Sequence, residues 1–206
     1  MCFKFLANST LESKDFNLED KVAYVEDFLY SNSVTLIYSP PKQGKTWLGY
    51  GLTTTLAKRG DVDHIIYVDM DNGLSSLKER EIDDKLINHP KVEYVSRAKI
   101  GCEPMEYLRK IDKEAIAGNY KGVTFVFETT KDFVDTDSKS QSEEFMKIMM
   151  RIRDAGATVI IMHHASKAGR TISGVQVFIN SPDNVYEMTQ KSREENKLHF
   201  MLTVTH

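Results

Sequence analysis

Residues 34–46 read Val34-Thr35-Leu36-Ile37-Tyr38-Ser39-Pro40-Pro41-Lys42-Gln43-Gly44-Lys45-Thr46, and Trp47 opens a mainly apolar stretch that runs to Lys58. Val34–Tyr38 is a short apolar run of the kind that forms a buried strand. Two prolines interrupt any regular element after it, and Gly44 permits a tight entry into a helix predicted from about Gly44 to Lys58. A strand, a glycine-bearing loop and a helix in immediate succession aim backbone N–H groups and the positive end of a helix at one point.

In that context Gly44, Lys45 and Thr46 have the spacing of the phosphate-binding pattern GxxxxGK[ST], with Ser39 where the first glycine is usual. Ser39, Pro40, Pro41, Lys42, Gln43, Gly44, Lys45, Thr46 and Trp47 are therefore the candidate nucleotide-binding residues. Lys45 is expected to bridge β- and γ-phosphates, and Thr46 to ligate Mg²⁺ through its hydroxyl, so ATP and Mg²⁺ are the expected cofactors. If position 39 requires a positive φ, serine there costs ~1–2 kcal/mol.

Working outward, apolar runs alternate with amphipathic ones to the end of the chain, the pattern of an α/β fold with a mainly parallel central sheet flanked by helices. The expected strands are His64–Met70, Val92–Val95, Val123–Phe127 and Ala157–Met162, followed by late strands Val185–Met188 and Leu198–Thr205 joined by the charged turn KSREEN. The expected helices cover Leu18–Tyr30, Ser75–Asn88, Glu103–Ala117 and Ser140–Ala155. With no internal repeat or linker, residues 1–206 read as one domain, of which 1–17 form an N-terminal tail.

The 206 residues are 41% hydrophobic and 28% charged, enough for a core in a water-soluble domain. A net charge of −3 excludes a domain-wide basic field, so any nucleic-acid contact must rest on particular residues. No apolar run approaches a membrane span and no signal peptide is evident. Cys2 and Cys102 form no metal-type pair, which leaves a reduced cytoplasm as the expected location.

Triphosphate hydrolysis needs a carboxylate near Mg²⁺ and another group to polarise water. Asp71 lies past the end of the second strand, where alternation would place it on the same face as Asp69, and Glu128 ends the most apolar strand. Both are candidate catalytic acids, with Glu128 also a candidate metal ligand beside Thr46. Asp69, Asp132 and Asp135 read as surface or supporting residues. His163 and His164 end another buried strand. Neighbours on a strand face opposite ways, so the two cannot share a metal, but a neutral imidazole at a terminal phosphate can sense it. Lys167 and Arg170 follow in a glycine-containing loop suited to phosphate contacts.

Taken together, the PPKxGKT loop, the YVDMDN strand end, the apolar strand with its acid, and HHASK followed by a glycine loop resemble the RecA-like ATPases. The closest variety is the RepA-type hexameric helicases of plasmids and phages. The resemblance covers about residues 30–190. It implies that Asp71 stands at the water-activating glutamate, Glu128 at the Walker B aspartate and His164 at the γ-phosphate sensor. Lys167 to Ser173 would face single-stranded DNA in the channel of a hexameric ring or filament. Both acids are exchanged relative to that pattern, Asp for Glu and Glu for Asp. The family's last strands supply a basic residue to a neighbour's ATP. With the chain ending at His206, that element is expected to be missing or supplied by Lys191 or Arg193. The expected activity is an ATPase working on DNA in replication or recombination. The alternative is a slow or non-hydrolysing regulatory or loading module. A small-molecule kinase is a third reading, disfavoured because no arginine-rich lid is present.

Overall fold

A computed structural model describes residues 11–13, 20–118, 120–166, 172–194 and 197–205. Among these, seven strands form one sheet. They are β3 (Val34–Ser39), β4 (His64–Asp69), β5 (Val92–Ser96), β6 (Val123–Glu128), β7 (Thr158–His164), β8 (Asn184–Glu194) and β9 (Lys197–Val204). Their order across the sheet is β5-β4-β6-β7-β3-β8-β9. Every pairing is parallel except the terminal β8–β9 hairpin. The expected architecture, parallel with late antiparallel strands, is present.

The near-continuous apolar strands are explained by helices on both faces, because a parallel sheet has no solvent face. Alternation divides each strand between two cores. Leu36, Phe125, Phe127, Val159 and Ile161 pack with Leu108 of α3 (Pro104–Ile116), Phe145 of α4 (Lys139–Asp154) and Phe178 of α5 (Val177–Asn180). Ile37, Tyr67, Val126, Ile160 and Met162 face the other way, onto Tyr50 and Leu56 of α1 (Lys45–Ala57) and Leu77 of α2 (Leu74–Glu79).

Two predicted helices are replaced. Within Leu18–Tyr30, residues 14–19 lie outside the described residues, and the remainder forms the hairpin of β1 (Ala23–Val25) and β2 (Leu29–Tyr30). Its turn donates Phe28 N to Val25 O and holds Asp27 at φ 55°. A tight turn brings Val25, Phe28 and Leu29 together at the i, i+3, i+4 spacing that also marks a helix, which is why the pattern misleads. The Ser75–Asn88 helix is broken at Glu81, with φ 55°, into α2 and a short π-helical turn at Asp83–Ile87. The KSREEN segment is also largely strand, since β8 continues through Glu194.

From β3 the chain skips two sheet positions to β4, and later crosses over β3 to reach β8. This strand order is a topological switch, and open α/β sheets bind ligands at the carboxyl ends of strands beside such a switch. Register sets what stands there: Ser39 opposite His164, and Asp69 opposite Glu128.

Candidate functional site

The loop from Ser39 to Lys45 closes on itself. Lys45 is buried, and its ammonium donates to Ser39 O (2.9 Å), Ser39 Oγ (3.1 Å) and Pro40 O (3.3 Å). Burial pulls its pKa down to about 8, and nearby Glu128 opposes that shift. The positive φ angles fall at Lys42 (63°) and Gly44 (89°). Ser39 completes β3 and takes no positive φ, so the anticipated cost of a serine at that position does not arise. Gly44 meets both demands on a glycine: its φ is left-handed, and a Cβ there would lie 3.0 Å from the ring of Phe200.

Phe200 belongs to the β8–β9 hairpin, which lies over the loop. Gln190 N donates to Gln43 Oε1 at 3.1 Å. Gln190 pairs with Phe200 and Ser192 with His199, leaving Lys191 as an extra residue, a β-bulge. The bulge reverses the alternation of side chains, so Gln190 and Arg193 both line the cleft above Lys45. Of the two basic residues expected to act at a neighbour, Arg193 thus borders the cleft of its own chain.

That cleft is about 590 Å³, a size suited to a small ligand. Pro41, Lys42, Gly44, Lys45, Thr46 and Trp47 line it from the loop and α1, Asp71 and Arg80 from the segment after β4, Glu128 and His164 from the ends of β6 and β7, and Lys131 from the turn after β6. Sequence reading assembled most of this group and missed Arg80, Lys131 and Gln190.

Glu128 is almost fully buried, and its two oxygens have separate partners: Thr46 Oγ1 donates to Oε1 and the Tyr67 hydroxyl to Oε2. Burial raises its pKa to about 7, the two hydrogen bonds opposing it and the nearby Asp69 and Asp71 adding to it. The strand end of β4 differs from its expected form. β4 stops at Asp69, so Asp69 and Asp71 do not share a strand face. Asp69 is fully buried, which fits the second of the two readings offered for it, surface or supporting. It accepts from Asp71 N and Asn72 N, each at 3.0 Å, and from Asn72 Nδ2 and the Tyr94 hydroxyl, which fixes the turn. Asp71 projects into the cleft mouth, exposed, with Lys131 Nζ 3.3 Å away.

The two histidines part as neighbours on a strand must. His163 is buried, its ring centroid lies 4.5 Å from that of Phe178 with the planes tilted by 35°, and it donates from Nε2 to Ser173 O at 2.7 Å. His164 enters the cleft, and neither ring nitrogen has a hydrogen-bond partner among the described residues. Burial holds both near pKa 4, and Lys45 and Lys131 add to that depression at His164. Both are neutral at pH 7, and His164 keeps a free donor and a free acceptor facing the loop. Lys167 and Arg170 lie outside the described residues.

The donor set suits Mg²⁺. Thr46 Oγ1 and Glu128 Oε1 are hard oxygens already in contact, and among the described residues no cluster of three or more His, Cys, Asp or Glu forms a dedicated metal cage. Magnesium is commonly held in that way, through one or two protein oxygens plus substrate phosphates.

No protein-family model matches this sequence, and no curated protein matches it. Among solved structures, the fold is similar to a KaiC-like protein from the hyperthermophilic archaeon Pyrococcus horikoshii OT3. The TM-score is 0.59 at 14% identity, covering 86% of this chain and 80% of that one. The chain therefore has a RecA-like P-loop fold, a likeness of architecture alone. Among the described residues no helix is long and apolar enough to cross a membrane.

Proposed function

We propose that this chain binds Mg-ATP in the cleft above Lys45 and hydrolyses it, as a RecA-like ATPase that assembles with copies of itself and works on single-stranded DNA. The observation that carries the nucleotide part is the convergence of Lys45, the Thr46–Glu128 pair and His164 at the carboxyl ends of adjacent strands.

In this reading Lys45 exchanges its bonds to the loop carbonyls for phosphate oxygens, and the loop N–H groups hold the remaining ones. Thr46 and Glu128 hold Mg²⁺, which when bound neutralises phosphate charge. Asp71 orients and polarises water at the cleft mouth, and His164, neutral, hydrogen-bonds the terminal phosphate. The DNA part rests on the resemblance of the HHASK string and on Lys167 and Arg170, the helicase-type role being its most specific form.

A second reading, a module that hydrolyses slowly and acts by its nucleotide state, draws on one contact. Asp71 is shorter than the glutamate of the resembling family and is already paired to Lys131.

The test is nucleotide binding and turnover of the parent and of Lys45→Ala, with and without single-stranded DNA, alongside the mass in solution. Loss of ATP binding in the folded variant supports the site, and equal binding removes it. Turnover stimulated by DNA supports the motor, whereas slow turnover indifferent to DNA supports the second reading.

A further inference from the structure

We infer that Tyr67 is a positioning residue: its hydroxyl fixes the Glu128 carboxylate against Thr46 and thereby sets the affinity for the magnesium ion. The inference rests on the reading that Thr46 and Glu128 hold that ion.

A glutamate reaches further than an aspartate and has one more rotatable bond, so its carboxylate is less defined by the backbone. Here both oxygens are committed. Oε1 accepts from Thr46 and Oε2 from Tyr67, which holds the carboxyl group at two points. Glu128 and Tyr67 stand on neighbouring strands, β6 and β4, and Tyr67 is fully buried.

The surroundings keep the tyrosine in place. Its ring stacks on Tyr94 at 5.0 Å with 9° between planes, and Tyr50 of α1 leans on it at 5.4 Å. The Tyr94 hydroxyl is tied to Asp69. Facing the Tyr67 hydroxyl is Gly49, inside α1, where glycine costs ~1 kcal/mol against alanine. A Cβ at Gly49 would stand 2.8 Å from that hydroxyl oxygen and 3.3 Å from Met162 Cε. The glycine is accounted for by the space the hydroxyl occupies. Tyr94 of β5 and Tyr50 and Gly49 of α1 thus surround the one tyrosine whose hydroxyl meets that carboxylate oxygen.

The chain has one tryptophan, Trp47, at the cleft and 41% exposed, so its fluorescence reports ligands there. ATP binding is titrated in EDTA, and magnesium is then titrated at fixed ATP. The proteins compared are the parent, Tyr67→Phe, Glu128→Asp, the double variant and Glu128→Gln. Tyr67→Phe is expected to bind metal-free ATP as the parent does but to need about tenfold more magnesium, the size of one hydrogen bond to a charged group. In the Glu128→Asp background the same change is expected to shift nothing, because the shorter carboxylate does not span both partners.

Gly49→Ala, which displaces the hydroxyl without removing it, is expected to raise the magnesium requirement too, and it serves if Tyr67→Phe is poorly folded. A magnesium requirement within twofold of the parent in Tyr67→Phe, or an equal rise in both backgrounds, overturns the inference. If Glu128→Gln also leaves the requirement unchanged, the metal assignment falls with it. If Glu128→Gln raises it while Tyr67→Phe does not, only the positioning role falls.

Discussion

Lys131 reaches across the mouth of the cleft to Asp71, Nζ to Oδ1 at 3.3 Å, and so joins the segment after β6 to the segment after β4. Both side chains are more than 40% exposed, so the pair contributes ~1 kcal/mol or less to stability. Its importance is chemical: among the described residues lining the cleft, the exposed carboxylate has a cation beside it.

Asp71→Asn is therefore expected to fold as the parent does, to bind ATP and to lose turnover by ~100-fold or more, because an amide cannot take a proton from water. Asp71→Glu extends the reach past Lys131 and is expected to raise turnover. Steady-state hydrolysis beside a binding titration checks both. Turnover of Asp71→Asn within a few-fold of the parent moves water activation to another group.

Gly44→Ala is expected to destabilise the protein and weaken ATP binding together. A left-handed φ of 89° costs an L-residue ~1–2 kcal/mol, and the new methyl group also meets the Phe200 ring. Adding Phe200→Ala relieves the second effect and not the first, so the double variant should recover only part of the loss due to Gly44→Ala. Thermal unfolding decides it, and a Gly44→Ala protein as stable as the parent would show that the loop tolerates a side chain there.

The parallel sheet and the loop were legible because their signals are local: unbroken apolar runs for strands buried on both faces, and a contiguous motif between strand and helix. What escaped depends on distance or on irregularity. Tyr67 and Glu128 are 61 residues apart, and Asp71 and Lys131 are 60 apart. No spacing rule links such pairs. Asp71 was set on the face of Asp69 by carrying the alternation past Asp69, where β4 ends and alternation no longer says which way a side chain points. Arg193 is turned into the cleft by the bulge at Lys191, which carries no glycine to announce it.

Lys167→Ala with Arg170→Ala tests the DNA reading. Each cation on a phosphate releases counterions, so affinity falls with salt in proportion to the contacts made. At a net charge of −3 no diffuse field replaces two lost cations. The double variant is expected to bind single-stranded DNA more weakly, with a flatter salt dependence, while ATP binding is retained. Anisotropy across a salt series measures both, and unchanged slope and affinity would favour the regulatory-module reading.

His163 should make stability depend on pH in a defined direction. Its folded pKa is held near 4 by burial, below the ordinary 6.5. Between those values the unfolded chain binds the proton and the folded chain does not. The contribution of His163 is thus complete above about pH 6.5 and is lost as pH falls toward 4, by at most ~1.4 kcal/mol per pH unit. His164 acts in the same direction. Glu128 acts in the opposite one, because its folded pKa of about 7 lies above the usual carboxylate value and its protonation on acidification favours the folded state. The parent's net slope therefore mixes these groups with others, such as Asp132, whose pKa burial also raises, and the contribution of His163 appears in a difference. His163→Gln is expected to lower stability at pH 7, where the ring contact with Phe178 is lost, yet to lose less of what remains between pH 6.5 and 5. Denaturant unfolding of both proteins at half-unit steps supplies the comparison, and parallel curves would mean that His163 is protonated in the folded state as readily as in the unfolded one.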